Sequence, residues 1–117
     1  MKHFELHEFD SPDQEGSGSG MDCEFLDKLD IARGFAGISF KINSGFRTVS
    51  HNKKVGGKQK SSHLVGLAVD ISCTDSRSRF LIIRALLKAG LSRIGVASSF
   101  IHVDDDPDKD GAVIWTY

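Results

Sequence analysis

The segment Ser61–Asp70, which reads SSHLVGLAVD, places an imidazole and a carboxylate at a spacing that suits metal binding. Alternate side chains of a strand share one face. Asp70 is therefore predicted to lie opposite the apolar face, with the small Ala68 beside it. Gly66 permits a tight turn before the strand, so that His63 can return toward Asp70. The apolar face of this strand is predicted to consist of Leu67, Val69, Ile71 and Cys73.

A second segment, Phe100–Asp104 with the sequence FIHVD, repeats this alternation. Ile101 and Val103 are predicted to point into the core, which leaves His102 and Asp104 together on the opposite face. Two strands would then present imidazole and carboxylate groups on one surface.

These residues suggest a metal centre formed by His63, Asp70 and His102. Two histidines and one carboxylate, with a position left for water, are typical of catalytic zinc. The same three ligands can hold non-haem iron. The alternative is a pair of surface histidines beside an aspartate that caps a turn.

The chain resembles the zinc D-alanyl-D-alanine carboxypeptidases and related peptidoglycan peptidases, a group that includes phage endolysins and shares its fold with Hedgehog signalling domains. The family signature, Ser-x-His-x-x-Gly-x-Ala-x-Asp, is filled completely within Ser61–Asp70. His102 matches the third ligand of the family, and Ser44–Arg47 matches its Ser-Gly-aromatic-Arg turn. The resemblance runs from about Met21 to the end of the sequence. It implies one zinc ion per chain and a peptidoglycan peptide as the substrate.

The resemblance also suggests roles for two polar side chains near the metal ligands. Arg47 would bind a substrate carboxylate or steady a developing oxyanion, since its planar fork suits two-oxygen groups. The alternative for Arg47 is an ordinary salt bridge. Ser61 would hydrogen-bond the substrate or orient the His63 loop, and a simple loop cap is equally compatible with the sequence.

One position departs from the family pattern. Many members carry an acidic general base three residues before the last zinc histidine, where this chain has Ser99. Asp104 is the replacement candidate because it shares a face with His102. Otherwise Asp104 orients His102 as its hydrogen-bond partner, and His51 is the next candidate base.

The remaining pattern predicts an α+β fold, with a small, mainly antiparallel sheet packed against helices, of the Hedgehog and D,D-peptidase type. A helix is predicted from the cap Asp22 to Gly37, and a second from Thr74 or Asp75 through Leu87, stopped by Gly90. In the second helix heavy burial is predicted for Phe80, Leu81, Ile83, Ala85, Leu86 and Leu87. The predicted strands are 39–43, 66–73, 93–97, 100–104 and 112–117. Residues 50–62 are predicted to form an exposed loop.

Length and composition agree with one domain over residues 1–117, with a flexible loop at about residues 10–21. The formal net charge of −1 gives no general attraction to nucleic acid or to an anionic membrane. Cys23 and Cys73 are predicted to be buried, reduced thiols. No signal-peptide pattern is visible, so we expect a monomer that is cytoplasmic as synthesised or is released to the wall as a phage-type lysin.

Two functions follow from these observations. The leading one is a zinc peptidase acting on stem peptides or cross-links of peptidoglycan, either as a D,D-carboxypeptidase or as an endopeptidase. The second is a zinc-stabilised binding module of the same fold without hydrolytic activity. This alternative stands because Ser99 replaces the acidic general base of many family members.

Overall fold

A five-stranded mixed sheet frames the fold in the computed structural model, which describes residues 1–117. The strands are β1 (Ile42–Ser44), β2 (Ala68–Ser72), β3 (Arg93–Val96), β4 (Phe100–Asp104) and β5 (Val113–Thr116). Their spatial order is β1-β2-β4-β3-β5, and all neighbours are antiparallel except β3 and β5, which are parallel. This arrangement confirms the predicted α+β class.

The central strands β2 and β4 have the predicted alternation. Their buried side chains join the main apolar core, and Asp70 lies directly opposite His102 in the antiparallel register. Because this register puts the polar side chains of both strands on one face, the sheet itself brings two of the three candidate ligands together. The core side chains of the two strands are Val69, Ile71, Ile101 and Val103.

Helix α1 (Cys23–Ala36) begins and ends where the sequence predicts. The Asp22 carboxylate accepts the backbone amide of Phe25 at 3.0 Å, which satisfies a donor of the first turn. Gly37 ends the helix in the left-handed conformation, with φ of 69°. The buried face of α1 consists of Phe25, Leu26, Leu29, Ala32 and Ala36.

Helix α3 (Ser76–Lys88) packs against α1 and is capped by Asp75, whose carboxylate accepts the Ser78 amide. The predicted heavy burial is wrong for Phe80 and Leu87, which are 60% and 48% exposed. A helix that covers a sheet from one side buries a single stripe and leaves its outer face in solvent. The buried stripe of α3 is Ile82, Ala85 and Leu86.

The predicted exposed loop 50–62 is wrong over its first half, because it contains the short helix α2 (Val49–Lys54). The Thr48 hydroxyl caps α2 by accepting the His51 amide at 3.1 Å. The helix is polar, so it lacks the apolar periodicity by which helices are recognised. The strand predicted at 39–43 is also shifted, since only Ile42–Ser44 pairs with β2.

The N-terminal segment is folded onto the rest of the chain. It contains 3-10 turns at Leu6–Phe9 and Ser17–Gly20, and Phe9 is fully buried in the core. The Asp10 carboxylate accepts the amides of Gly16 and Gly18 within the stretch predicted to be a flexible loop. Its flexibility stays a prediction.

The prediction of two buried cysteines is half wrong, since Cys73 is buried but Cys23 is exposed. Cys23 is the first residue of α1 and lies on the outer side of that helix. No helix of the protein combines the length and hydropathy needed to cross a bilayer.

Candidate metal centre

The three predicted ligands converge on one face of the sheet. Asp70 and His102 come from β2 and β4, and His63 comes from a 3-10 turn (Ser62–Val65) that precedes β2. Asp70 Oδ1 lies 2.9 Å from His102 Nδ1 and 3.5 Å from His63 Nε2. One donor atom from each residue lies within 4.8 Å of the other two. The turn ends at Gly66, which has φ of 73° and has no room for a Cβ atom beside the Gly20 carbonyl.

The remaining ring nitrogen of each histidine is occupied by an oxygen acceptor. His63 Nδ1 donates to the Gly45 carbonyl at 2.8 Å, and His102 Nε2 donates to Asp104 Oδ2 at 2.7 Å. A carbonyl and an ionised carboxylate can only accept, so each of these two nitrogens carries a proton. The second ring nitrogens, His63 Nε2 and His102 Nδ1, both face Asp70, and each can ligate a metal ion once it carries no proton of its own. This donor set fits a divalent metal ion of the zinc type.

The charges of the cluster favour the ionised carboxylate. Burial raises the pKa of Asp70, but hydrogen bonds with His102 and His63 lower it well below its usual value. Burial lowers the pKa of His102, while hydrogen bonds to Asp104 and Asp70 raise it above 6.5. Asp70 is thus available as an anionic ligand across the neutral pH range.

Asp104 is buried beside His102 with both carboxylate oxygens engaged. Oδ2 accepts from His102 Nε2, and Oδ1 accepts from Arg93 Nε at 2.7 Å. It therefore contacts His102 at the ring nitrogen remote from Asp70. Burial raises the pKa of Asp104, but the hydrogen bonds from His102 and Arg93 lower it below its usual value. These contacts favour the orienting alternative, and the role of Asp104 as a general base stays a prediction.

Arg47 follows β1 and reaches the cluster from the side. Its Nη2 lies 3.5 Å from Asp70 Oδ2, its Nε donates to Ser44 Oγ at 3.1 Å, and its Nη1 donates to Asn52 Oδ1 at 3.3 Å. Ser61 Oγ accepts the His63 amide at 3.2 Å, so Ser61 caps the turn that carries this ligand. Both side chains also line the cleft in front of the cluster.

The cleft has a volume of about 660 Å³, and the aromatic side chains in its wall are Phe100, Trp115 and Tyr117. The Trp115 ring lies 5.6 Å from the His102 ring, centre to centre. A Cβ atom at Gly95 would lie 2.6 Å from Trp115 Nε1, so glycine at this position lets the indole lie close to the sheet. Burial raises the pKa of Tyr117, and its hydroxyl therefore stays protonated at neutral pH.

The other candidate base, His51, lies outside the cleft, on α2 at a separate small pocket with Pro12 and Asp13. Ser99, which stands where many family members have the acidic base, is exposed in the β3–β4 connection. Asp70 and Asp104 are the two carboxylates that line the cleft.

Sequence reasoning missed Asn52, Arg93 and Tyr117 at the site. Asn52 stands in a polar helix that shows no periodic pattern, and Arg93 begins a strand at a position where a solvent-facing cation is ordinary. Their contacts depend on how separate segments fold together. The sequence feature that comes nearest to indicating Asn52 is the glycine pair Gly56 and Gly57, which predicts a tight loop close to it in the chain.

The fold and the sheet-mounted His-Asp-His cluster together define a metallopeptidase-type site. The family model described as Peptidase M15 matches residues 2–104, a span that includes all three candidate ligands. The chain belongs to this family, the zinc D-Ala-D-Ala carboxypeptidase family, as the sequence resemblance predicts. A comparison with curated protein sequences gives no match. Membership in a peptidase family supports the predicted hydrolase class, and His63, Asp70 and His102 are its candidate metal ligands.

Proposed function

We propose that the protein is a zinc-dependent peptidase that cleaves a peptide bond in peptidoglycan stem peptides or cross-links. The observation that carries this proposal is the convergence of His63 Nε2, Asp70 Oδ1 and His102 Nδ1, with the opposite ring nitrogens held by Gly45 and Asp104. A histidine fixed in this way presents its second ring nitrogen to a metal ion without a rotation of the ring. Family membership supports the peptidase activity.

His63, Asp70 and His102 would hold the zinc ion in front of the open cleft. When bound there, zinc lowers the pKa of water to about 7 and polarises a carbonyl group. The protein residues supply orientation and charge around this centre. Asp104 and Arg93 fix the ring of His102, and the hydroxyl of Tyr117 is a protonated donor at the cleft wall.

Arg47 is proposed to bind a carboxylate of the substrate. Its guanidinium is held by Ser44 and Asn52 on one side, while Nη2 is directed toward Asp70 and the cleft. A positioned guanidinium can donate hydrogen bonds to both oxygens of a carboxylate at once. This arrangement favours a substrate with a free C-terminal carboxylate near the scissile bond, as in a stem peptide that ends in D-Ala-D-Ala.

The decisive experiment is incubation of the zinc-loaded protein with a purified stem pentapeptide and with a cross-linked dimer, followed by mass analysis. Loss of one alanine from the pentapeptide would establish a carboxypeptidase, and separation of the dimer into monomers would establish an endopeptidase. Removal of zinc by a chelator should abolish either reaction, and added zinc should restore it. Full zinc loading without cleavage of either substrate would contradict the proposal.

A second candidate function is a zinc-stabilised module that binds peptidoglycan peptides without cleaving them. It is favoured by Ser99, an exposed hydroxyl at the place where many family members have an acid. The same incubation separates the two functions, because a binding module would retain the peptide with unchanged mass. We further propose that the protein works as a monomer in either case.

Arg47→Lys tests the proposed carboxylate contact. Lysine keeps the positive charge but loses the planar fork, so kcat/KM should fall about tenfold or more for a substrate with a free terminal carboxylate. A matched substrate with an amidated terminus should be much less sensitive to the substitution. Equal losses on the two substrates would point to a purely structural arginine.

A further inference from the structure

The cleft in front of the metal ligands carries surplus positive charge. Its two carboxylates are already compensated, since Asp104 pairs with Arg93 and Asp70 contacts both histidines and Arg47. A cleft with low-dielectric walls and an excess of one sign of charge attracts ligands of the opposite sign. The cationic side chains that line the cleft are Arg47, Lys58, Lys60, Arg93 and Lys109.

Two of these cations have no carboxylate partner. Lys58 and Lys60 are exposed and form no ion pair, although both line the cleft. Lys109, by contrast, is engaged by the Ser62 hydroxyl at 2.6 Å and by Asp106 Oδ2 at 3.7 Å. The loop of residues 55–61 therefore contributes two ammonium groups that are free to meet an anionic ligand.

The backbone beneath these lysines is held in place by a buried amide. Asn52, which is 3% exposed, accepts the Gly57 amide with its backbone carbonyl at 2.8 Å and donates from Nδ2 to the Lys58 carbonyl at 2.9 Å. The Ser61 amide also donates to the Lys58 carbonyl, at 3.0 Å. A Cβ atom on Gly57 would lie 2.0 Å from Asn52 Oδ1, so the backbone of the loop packs directly against the Asn52 side chain and leaves no room for a larger residue at position 57. A cation on a fixed backbone loses less freedom on binding than one on a mobile loop.

The same amide also positions the arginine of the proposed carboxylate contact. Asn52 Oδ1 accepts from Arg47 Nη1 at 3.3 Å while Nδ2 of the same side chain holds the Lys58 carbonyl. Arg47 and the backbone of Lys58 are thus set by one side chain at adjoining points of the cleft. Two cationic groups fixed relative to one another suit a ligand with two anionic groups.

We propose that Lys58 and Lys60 form a second anion subsite, which takes a carboxylate other than the one bound by Arg47. The substrate class is then a peptide with two free carboxylates, one at its C-terminus and one on an acidic residue of the same peptide. Stem peptides whose acidic residue is free would be preferred over those in which it is amidated. This inference rests on the proposed function for the position of the terminal carboxylate.

The test uses two stem peptides that end in D-Ala-D-Ala and differ only at one acidic residue, which is a free carboxylate in one and an amide in the other. We expect the wild type to prefer the free carboxylate about three- to tenfold in kcat/KM, mainly through KM, as for two exposed charge contacts. The double variant Lys58→Gln, Lys60→Gln should lose this preference. The matched control Lys53→Gln, Lys54→Gln removes two exposed α2 charges outside the cleft and should keep it.

Raising the ionic strength should shrink the preference of the wild type, because exposed charges are screened. A wild type without preference, or a double variant that keeps it, would overturn the subsite. If zinc-loaded protein cleaves neither peptide, calorimetric titration with both peptides separates the two proposals. Tighter binding of the free carboxylate, lost in the double variant, would support the subsite while the proposed peptidase function fails, and equal binding would overturn the subsite as well.

Discussion

The imidazole of His102 is held between two carboxylates that have different tasks. Asp70 contacts Nδ1 and is one of the candidate metal ligands, whereas Asp104 contacts Nε2 and is itself held by Arg93. Trp115 lies against the same imidazole and also carries the Arg93 guanidinium over its ring, 5.2 Å from the ring centre. The imidazole of this candidate ligand is therefore held at both ring nitrogens by the carboxylates and packed against the indole of Trp115.

These contacts predict the behaviour of Asp104→Asn. An amide is a weaker partner for the Nε2 proton than an ionised carboxylate, so zinc affinity should fall about ten- to a hundredfold. Turnover should fall with it at limiting zinc and recover largely at saturating zinc. Competition with a chromophoric chelator measures the affinity, and Asp108→Asn, an exposed neighbour, is the control.

The opposite result would identify a base. If Asp104→Asn keeps wild-type zinc affinity but loses a hundredfold or more in turnover at saturating zinc, Asp104 takes up a proton in the reaction. The orienting role would then be wrong.

For single residues, the sequence predicts well where the candidate ligands lie on the sheet, but it predicts poorly which atoms form hydrogen bonds with one another. Strand alternation placed Asp70 and His102 on one face, because the direction of a side chain from a strand is set by the backbone. Which nitrogen of His102 meets which carboxylate depends on rotation within the side chains, which spacing does not determine. The hydrogen bonds of Asn52 with Arg47 and Lys58 could not be predicted from the sequence for the same reason.

Among the elements, the strands were predicted more accurately than the helix surfaces. β2 and β4 are central, so their apolar residues show clean alternation. Helix α3 instead has apolar residues on its buried stripe and also on its outer face. Local sequence does not distinguish the two sets, since the distinction is made by packing against α1. Likewise, the parallel pairing of β5 with β3 depends on the path of the preceding loop.

The two faces of α3 can be separated by a pair of truncations. Ile82→Ala should lower the free energy of unfolding by about 2–4 kcal/mol, because Ile82 is 1% exposed and leaves a cavity. Phe80→Ala should cost less than about 1 kcal/mol, although it removes more atoms, because that ring is 60% exposed. Chemical denaturation of both variants measures the difference. Equal losses would mean that the outer face of α3 is covered.

On the scale of the whole molecule, a carboxylate on α1 holds the backbone of the first residues of the chain. Asp30 accepts the backbone amides of Lys2 at 2.9 Å and His3 at 2.8 Å. Burial raises the pKa of Asp30, but these two hydrogen bonds lower it below its usual value. A carboxyl group with a lowered pKa in the folded state stabilises the fold above its unfolded pKa, and this stabilisation disappears as the pH falls through the folded pKa.

Asp30→Asn should therefore destabilise the protein by about 0.5–1 kcal/mol at pH 7, a value reduced for partial solvent exposure. The difference between wild type and variant should begin to shrink below about pH 4, where this carboxylate becomes protonated in the unfolded chain, and should vanish below the lower pKa of the folded state. Urea denaturation of both proteins, repeated in steps of about two pH units from about pH 2 to about pH 7, measures this difference in the free energy of unfolding. A difference that is constant across this range would show that the charge of Asp30 contributes nothing.

Zinc should stabilise the molecule as a whole, because its ligands come from three segments. The ion would connect the turn before β2 with β2 and β4. A chelator should lower the melting temperature, and a ligand present at a hundred times its Kd contributes about 2.7 kcal/mol. The variant His102→Ala should melt at a temperature that the chelator leaves unchanged. An unchanged wild-type melting temperature after confirmed metal loss would contradict this coupling.

The carbonyl of Gly45 links the candidate metal ligands to the N-terminal segment. It accepts from His63 Nδ1, and the flanking amides of Phe46 and Arg47 donate to the carbonyls of Phe9 and His63 at 2.9 and 3.1 Å. A Cβ atom at Gly45 would lie 2.8 Å from Phe9 Cα, so the two backbones are in direct contact. Isotope exchange at these two amides should consequently slow when zinc is loaded. Deuterium uptake at Phe46 and Arg47 then becomes a measure of metal occupancy, read from backbone positions without an attached probe and without substitution of a candidate ligand.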